Sequence, residues 1–340
     1  MCIRDRRDTD RSAAYFHSCN RGKRSVTADL ATPDGVELVR RLATQADVFI
    51  ENFKVGGLAK YALDYATLRE INPRLVYCSI TGFGQVGPKA HLAGYDFMIQ
   101  GLSGIMDLTG EPDGEPQKIG VAFADIFTAL YGTVAIQDAL ARREHSGVGD
   151  YIDMSLMDCM TGVLANQALN FLATGVSPKR MGNAHPNIAP YQTLPASDGH
   201  FIVACGNDRQ FRALCEVLDC AQLAGDDRFV TNESRVANRA ALTRALTDKT
   251  RAVARNKLIE RLQTAGVPAG PINQVGEAFV DSQIQYRGLQ IAPEGVPGVK
   301  SPMQFANHEL SLERAAPKLG EHNAQVLAEL LELEAAVSPN

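Results

Sequence analysis

Asp125 is the residue best placed for covalent chemistry. It sits in Val121-Ala122-Phe123-Ala124-Asp125-Ile126-Phe127-Thr128-Ala129-Leu130-Tyr131-Gly132, between an apolar run and the start of a long helix that continues as TVAIQDALARRE and stops at His145-Ser146-Gly147. Apolar residues at Ile126, Leu130, Val134 and Ala141 predict a helix packed on most sides. Asp125 then falls at or near its N-cap. A carboxylate there has two readings. It can accept a backbone N–H as an ordinary cap. It can also be held ionised by the helix N-terminus and serve as a covalent nucleophile. His185 is the second candidate, in the turn-rich stretch Met181-Gly182-Asn183-Ala184-His185-Pro186-Asn187-Ile188-Ala189-Pro190-Tyr191. It is the side chain there suited to acid/base work near neutral pH, against the plainer reading of a loop histidine.

The elements around these residues read as a parallel α/β layout. Lys23 to Leu30 is expected as a strand. Thr32 caps a helix with Pro33 in its first turn and Val36 to Ala46 in its body. Asp47 to Ile50 is a short strand, Tyr65 to Ile71 a helix, and Arg74 to Ile80 a strand. Ligands in such sheets gather beyond the carboxyl ends of strands, here Asn52-Phe53 and Thr81-Gly82. Gly82-Phe83-Gly84-Gln85-Val86-Gly87 matches GxGxxG, but Pro88 follows where a helix should already run, and no strand with an acidic ribose ligand comes at the required distance. The dinucleotide reading is therefore rejected in favour of a loop that lets backbone approach backbone or ligand. Asp96 to Leu108, Leu156 to Thr174 (ended by Gly175) and Gly320 to Leu333 are expected as helices, and Asp150 to Ser155 as a strand. Asp198-Gly199-His200 reads as a hairpin turn into a strand over Phe201 to Cys205. Helices with charged faces follow over Asp208 to Leu218, Asn238 to Thr250 and Ala254 to Ala265, the mark of a second, smaller domain. Strand-like pieces lie in Pro293 to Phe305. The expected division is 1–12 disordered or non-native, 13–195 a large α/β domain, 196–290 a small domain, and 291–340 a return to the large one.

Bulk properties narrow the classes. The 340 residues are 45% hydrophobic and 21% charged, as in ordinary globular proteins, with a net charge of −5 and no basic tract, which argues against a nucleic-acid partner. No apolar run reaches membrane-spanning length. The seven cysteines form no CxxC and no zinc spacing, so no metal site is expected. Cys78, Cys159, Cys205 and Cys215 lie in apolar segments as buried thiols, which fits a cytoplasmic protein.

SCNRGKRSVTADL, ADVFIENFKVGGL, NPRLVYCSITGFGQVGP, AGYDF, VAFADIFTALYG, GVGDYIDMSLMD, GNAHPNIAPYQ and GVPAGPIN occur in this order. Together they resemble the class III (CaiB/BaiF-type) coenzyme A transferases, the family of formyl-CoA transferase, the carnitine CoA-transferase and the α-methylacyl-CoA racemases, over about residues 13–335. GNAHPNIAPYQ, ACGNDRQF and GVPAGPIN look most like the branch with succinyl-CoA:dicarboxylate transferases. The resemblance implies a large Rossmann-like parallel-sheet domain, a smaller α+β domain and an interlocked homodimer. It implies a CoA-transferase whose nucleophile is Asp125, with acyl-CoA and carboxylic acids as substrates and no prosthetic group. It puts CoA contacts at Ala28, Asp29, Leu30, Ala31, Asn52, Phe53, Lys54, Lys60, Ala93, Gly94, Tyr95 and Asp96. Gly182, Asn183 and His185 would meet the substrate, in a mobile loop from Gly182 to Pro190. Lys60 stands where relatives often carry Arg, which keeps charge but loses a bidentate fork.

The chain departs from the family in three places. Gly94-Tyr95-Asp96 lacks the histidine of the racemase motif, which disfavours racemisation. GNAHPNIAP replaces the glycine run of formyl-CoA transferases, so formate and oxalate are not supported. The family's opening strand–loop–helix is expected to be missing, with MCIRDRRDTDRS in its place. A 2-methylacyl-CoA racemase or isomerase and an inactive CoA-binding fragment are the alternatives to a transferase.

Overall fold

A computed structural model describes residues 13–337; the expectation of disorder over 1–12 lies outside them. Along the chain come α1 (Ala14–Asn20), α2 (Pro33–Gln45), β1 (Val48–Glu51), α3 (Tyr65–Ile71), β2 (Val76–Thr81), α4 (Asp96–Leu102) and α5 (Ile105–Leu108). The long α6 (Phe123–Ser146) follows, then β3 (Tyr151–Ser155), α7 (Leu156–Val163) and α8 (Ala165–Thr174). Next are β4 (Tyr191–Ala196), β5 (Gly199–Ala204), α9 (Asp208–Val217), α10 (Asn232–Ala237), α11 (Arg239–Thr250), α12 (Arg255–Thr264) and β6 (Ala269–Pro271). The chain closes with α13 (Val275–Val280), α14 (Ser282–Tyr286), β7 (Gln290–Ile291), β8 (Gly298–Val299) and α15 (Asn323–Val337).

These elements form two compact units. Among the described residues, the first takes those up to Tyr77, Asp138–Tyr151 and those from Asn273 on; the second takes Cys78–Gln137 and Ile152–Ile272. β1, β2 and β3 make a parallel three-stranded sheet in that order. Its bonds from Val76 N–H to the Asp47 carbonyl and from Tyr77 N–H to the Asp150 carbonyl lie within the first unit. The core there is Ala43, Leu58, Leu63, Leu68, Leu75 and Tyr77, with Phe49 stacked on Tyr77 at 5.0 Å between ring centres. The α2 start follows local chemistry: Thr32 Oγ1 accepts the Gly35 N–H at 3.1 Å, with Pro33 at the first helical position.

The second unit holds the antiparallel sheet β4-β5-β6, with Leu194 opposite Phe201 and Val203 opposite Ala269. Its apolar face packs on α9, α11 and α12 through Leu194, Phe201, Phe211, Leu214, Leu242 and Leu258. A separate cluster of Ile99, Ala124, Leu156 and Met160 joins α4, α6 and α7.

Several expectations are corrected. Lys23 to Asp29 pairs in no sheet, and Leu30 lies in a turn. Its backbone groups are taken by the start of α15 instead: Ser25 N–H by His322 Nδ1 at 3.2 Å and Thr27 N–H by Asn323 Oδ1 at 2.9 Å. The helix expected over Asp96 to Leu108 breaks at Gly104, whose φ is +91°. The one over Leu156 to Thr174 breaks between Val163 and Ala165, and Gly175 (φ +70°) ends it as expected. Of Pro293 to Phe305, Gly298–Val299 pairs as a strand, with β7. The last helix begins at Asn323, three residues after Gly320. Within α6, Ile126, Leu130 and Val134 are 46%, 56% and 68% exposed, so packing on most sides is wrong. The inward face carries the small residues Ala124, Thr128, Gly132 and Ala139, which bring the helix backbone close to its neighbours.

Candidate active site

Asp125 is the third residue of α6, not its cap. The capping work is done from α4. Asp96 Oδ1 accepts the Ala124 N–H at 2.8 Å and the Asp125 N–H at 3.4 Å. No hydrogen bond to the Asp125 carboxylate occurs among the described residues. Two causes raise its pKa above the ordinary aspartate value: partial removal from water, then the negative charge of Asp96. More than a third of Asp125 remains open to solvent, so screening limits both. The result is a carboxylate more basic than a free one.

The loop carrying Asp96 is fixed by contact with the glycine loop after β2. A Cβ on Gly82 would lie 2.4 Å from Gly94 Cα, and one on Gly94 would lie 2.3 Å from Gly82 Cα. Only glycine at both positions permits this approach. Gly84 (φ +85°) and Gly87 (φ +103°) turn the chain, and Asp153 Oδ2 accepts the Gln85 N–H at 2.9 Å. No helix starts after Gly87 until Asp96, which agrees with rejecting a dinucleotide site. Tyr95, where the racemase motif has histidine, is 71% exposed.

The residues expected to meet substrate lie in the same unit. Gly182 donates to the Gly110 carbonyl at 3.1 Å, and Asn183 Nδ2 lies 3.4 Å from Thr193 Oγ1. His185 Nδ1 accepts the Asn187 N–H at 3.1 Å, which leaves the proton on Nε2 in the neutral ring. The following residues are held by hydrogen bonds from α10 and α11. Asn232 holds the Asn187 carbonyl at 2.9 Å, and Arg239 holds the Pro186 and Ile188 carbonyls at 3.1 Å. The fully buried Arg235 donates to the Ala189 and Phe229 carbonyls at 2.6 and 3.0 Å and to Asp208 at 2.7 Å. These arginines, and Arg180 across Asp107 and Gly114, carried no sequence signal, because their partners are mostly backbone carbonyls.

In the first unit, a cleft of about 700 Å³ is lined by Leu30, Ala31, Thr32, Arg40, Lys60 and Tyr61, among others. Three residues expected at CoA, Leu30, Ala31 and Lys60, are therefore together. Lys60 Nζ sits 4.5 Å from the Tyr61 ring centre. Arg40 is a second cation that sequence reasoning missed; as an i+3 partner of Glu37 (3.8 Å) it reads as an ordinary helix-surface pair. Ala28 and Asp29 precede the cleft, with Asp29 Oδ1 accepting the Ala31 N–H at 2.9 Å. Asn52, Phe53 and Lys54 are exposed beyond β1 and do not line it. Ala93, Gly94, Tyr95 and Asp96 stand with Asp125 in the second unit. Among the described residues no group of three His, Cys, Asp or Glu could hold a metal ion, and no helix is long and apolar enough to cross a membrane.

Comparison with known proteins decides what this arrangement belongs to. The family described as CoA-transferase family III matches residues 3–323. The chain belongs to CoA-transferase family III. It is 53% identical over 333 residues to the succinate–glutarate CoA-transferase of Agrobacterium fabrum, covering 96% of this chain and 83% of that relative. It is 36% identical over 324 residues to the human succinyl-CoA:glutarate CoA-transferase, covering 94% and 74%. Among solved structures, a CAIB/BAIF family protein from Brucella suis superposes with a TM-score of 0.86 at 64% identity, covering 94% of this chain and 85% of that one. The chain is thus a CoA-transferase, and the mixed α/β fold with its parallel sheet is that family's fold.

Proposed function

We propose that this CoA-transferase moves CoA from succinyl-CoA to a second carboxylic acid, a dicarboxylate such as glutarate, through a covalent intermediate on Asp125. The donor and acceptor classes are taken from relatives named as succinate–glutarate and succinyl-CoA:glutarate transferases. The observation that carries the covalent step is a carboxylate on the first turn of α6 whose capping duty has passed to Asp96.

In the first step an Asp125 oxygen attacks the thioester carbonyl, the C–S bond breaks, and a mixed anhydride forms with CoA thiolate as leaving group. The thiolate attacks the Asp125 acyl carbon, giving an aspartyl-CoA thioester and releasing succinate. The acceptor carboxylate attacks that thioester and expels the thiolate again. The thiolate then attacks the acceptor's carbonyl in the new anhydride, which regenerates the Asp125 carboxylate. Thioester energy is carried through every step, so the reaction needs no prosthetic group. The anhydrides must be kept from water. His185, with its Nε2 proton outward from the internal bond to Asn187, is suited to donate to a substrate carboxylate, beside Gly182 and Asn183. Leu30, Ala31, Lys60 and the preceding Ala28 and Asp29 form the proposed CoA cleft, with Lys60 and Arg40 supplying positive charge for phosphates. Asn52, Phe53 and Lys54, and the Ala93–Asp96 loop, complete the proposed contacts.

A homodimer is proposed as the working assembly, supported by the exposed Ile126, Leu130 and Val134 of α6 and Leu169 and Leu172 of α8. A cytoplasmic location is supported by the free cysteines, five of the six described ones being buried.

Asp125→Ala tests the mechanism. It should abolish exchange of labelled succinate into succinyl-CoA while leaving CoA binding by calorimetry within about twofold. Comparable exchange in that variant would sink the assignment.

A further inference from the structure

Gln100, on α4, is completely buried. A buried primary amide has two donors and one acceptor oxygen to satisfy, and an unmet one is costly. Here each end is matched to a different part of the site. Nε2 donates to Asp96 Oδ2 at 2.8 Å, with the Val121 carbonyl 3.5 Å away. Oε1 accepts the Ile119 N–H at 2.9 Å. The amide cannot be flipped: its oxygen would face a carboxylate and a carbonyl, and its NH₂ would face an N–H donor. Asp96 Oδ2 is held by Gln100, and Asp96 Oδ1 holds the N–H groups of Ala124 and Asp125. Ile119 and Val121 belong to the segment that feeds α6.

We propose that Gln100 is a positioning residue for the transfer: one amide locks the Asp96 carboxylate and the segment entering α6, and so sets where the Asp125 carboxylate stands. This rests on the reading of Asp125 as nucleophile. Gln100 touches neither substrate nor reacting atoms; it acts through Asp96. Glutamate at this position would keep the shape and the acceptor for Ile119 N–H, but would set a second carboxylate against Asp96 Oδ2. Two carboxylates so close bond only by sharing a proton. The acids on the elements packed against α4 are Asp125 of α6, which feels the Asp96 charge, Asp107 of α5, which Arg180 engages at 2.9 Å, and Asp158 of α7, which is exposed.

The experiment follows exchange of labelled succinate into succinyl-CoA between about pH 5.5 and about pH 8, with circular dichroism at each pH. The wild type supplies the reference profile. Gln100→Glu should be slowed about tenfold or more near pH 8 and recover on acidification, as the shared proton restores the bond to Asp96. Gln100→Leu should lose about tenfold or more in kcat at every pH, with the KM for succinyl-CoA within about twofold. A folded Gln100→Glu protein with the wild-type rate and the wild-type pH profile would overturn the proposal. So would a Gln100→Glu protein unfolded at every pH, which would make the residue purely structural. Asp125→Ala run in parallel separates the two levels. Exchange persisting in it removes the reading of Asp125 itself, whereas a dead Asp125→Ala beside a wild-type-like Gln100→Glu removes only the role of Gln100. A wild-type chain without exchange removes both.

Discussion

Replacing Gly94 by Ala adds one methyl group where the backbone of Gly82 already stands. The new Cβ would lie 2.3 Å from Gly82 Cα and 3.2 Å from its carbonyl carbon, while ordinary contact begins near 3.4 Å. The shortfall is about 1 Å, and the obstacle is main chain, which cannot rotate aside as a side chain can. The two loops must part by that amount or the methyl must be accommodated by strain. Overpacking of this kind costs about 1–3 kcal/mol, a sizeable part of a domain's net stability of roughly 5–15 kcal/mol. The functional consequence is larger, because Gly94 lies two residues before Asp96, whose carboxylate caps α6 at Ala124. Shifting a catalytic group by about 1 Å costs about a hundredfold in rate. Gly94→Ala is therefore expected to lower succinate exchange by about 10²-fold and the melting temperature by a few degrees. Gly82→Ala should behave alike, since its Cβ would meet Gly94 Cα at 2.4 Å. Gly225→Ala is the control: a Cβ there meets nothing within 4 Å, and stability should stay within about 0.5 kcal/mol. A Gly94→Ala enzyme with wild-type rate and melting temperature would refute the reasoning, because the two backbones could not then be in contact.

Three further outcomes are expected. Activity requires ionised Asp125, and burial and Asp96 both raise its pKa, so the acid limb of the pH–rate profile should lie above the range of a free aspartate. Asp96→Asn keeps an acceptor for the Ala124 N–H but removes the charge; the limb should move to lower pH and remain above free aspartate because burial persists, and a limb that stays or rises would contradict the assignment. Lys60→Ala should raise the KM for succinyl-CoA about tenfold, with Lys60→Arg near wild type or tighter; an unchanged KM would take Lys60 out of the CoA cleft. Arg235→Leu strands the Ala189 and Phe229 carbonyls inside the second unit and should cost about 3 kcal/mol in a urea melt; its other partner, Asp208, is about half exposed and rehydrates, so a loss under about 1 kcal/mol would mean that water replaces the guanidinium.

What the sequence shows well is chemistry that closes within a few residues. Thr32 and Pro33 start α2, Tyr65–Ile71 is a helix to the residue, and Gly175 ends α8, because cap, proline and left-handed glycine act locally. The loop from Gly82 was legible as a close approach of backbone, but its partner Gly94 was not. Lys23 to Leu30 looked like a strand because its composition suits one; its partners, Ser25 to His322 and Thr27 to Asn323, lie almost 300 residues on. The outward face of α6 was misread for a similar reason. Large apolar residues at helical spacing imply burial only if something in the same chain covers them, and here the small residues face inward. Leu30, Ala31 and Lys60 of the cleft came from the family pattern, whereas Arg40 and Gln100 looked like unremarkable polar positions on helices.

Asp125 shows why cap and catalyst were hard to separate from sequence. Both readings need an acidic residue where a helix begins, and the positive end of the helix favours the anion in either case. That same stabilisation lowers the carboxylate's basicity, which works against a nucleophile. The chain resolves the conflict with a second aspartate, 29 residues earlier, whose Oδ1 reaches the N–H groups of Ala124 and Asp125. Asp96 spends its charge on the helix end and, by its proximity, pushes the Asp125 pKa up rather than down. The capping function is thus moved to a residue that does not react, and the reacting carboxylate keeps the position at the helix start without the full loss of basicity that the position alone would impose. Only the fold brings the two aspartates together, so a lone Asp before an apolar helix could not have revealed which of the two tasks it performs.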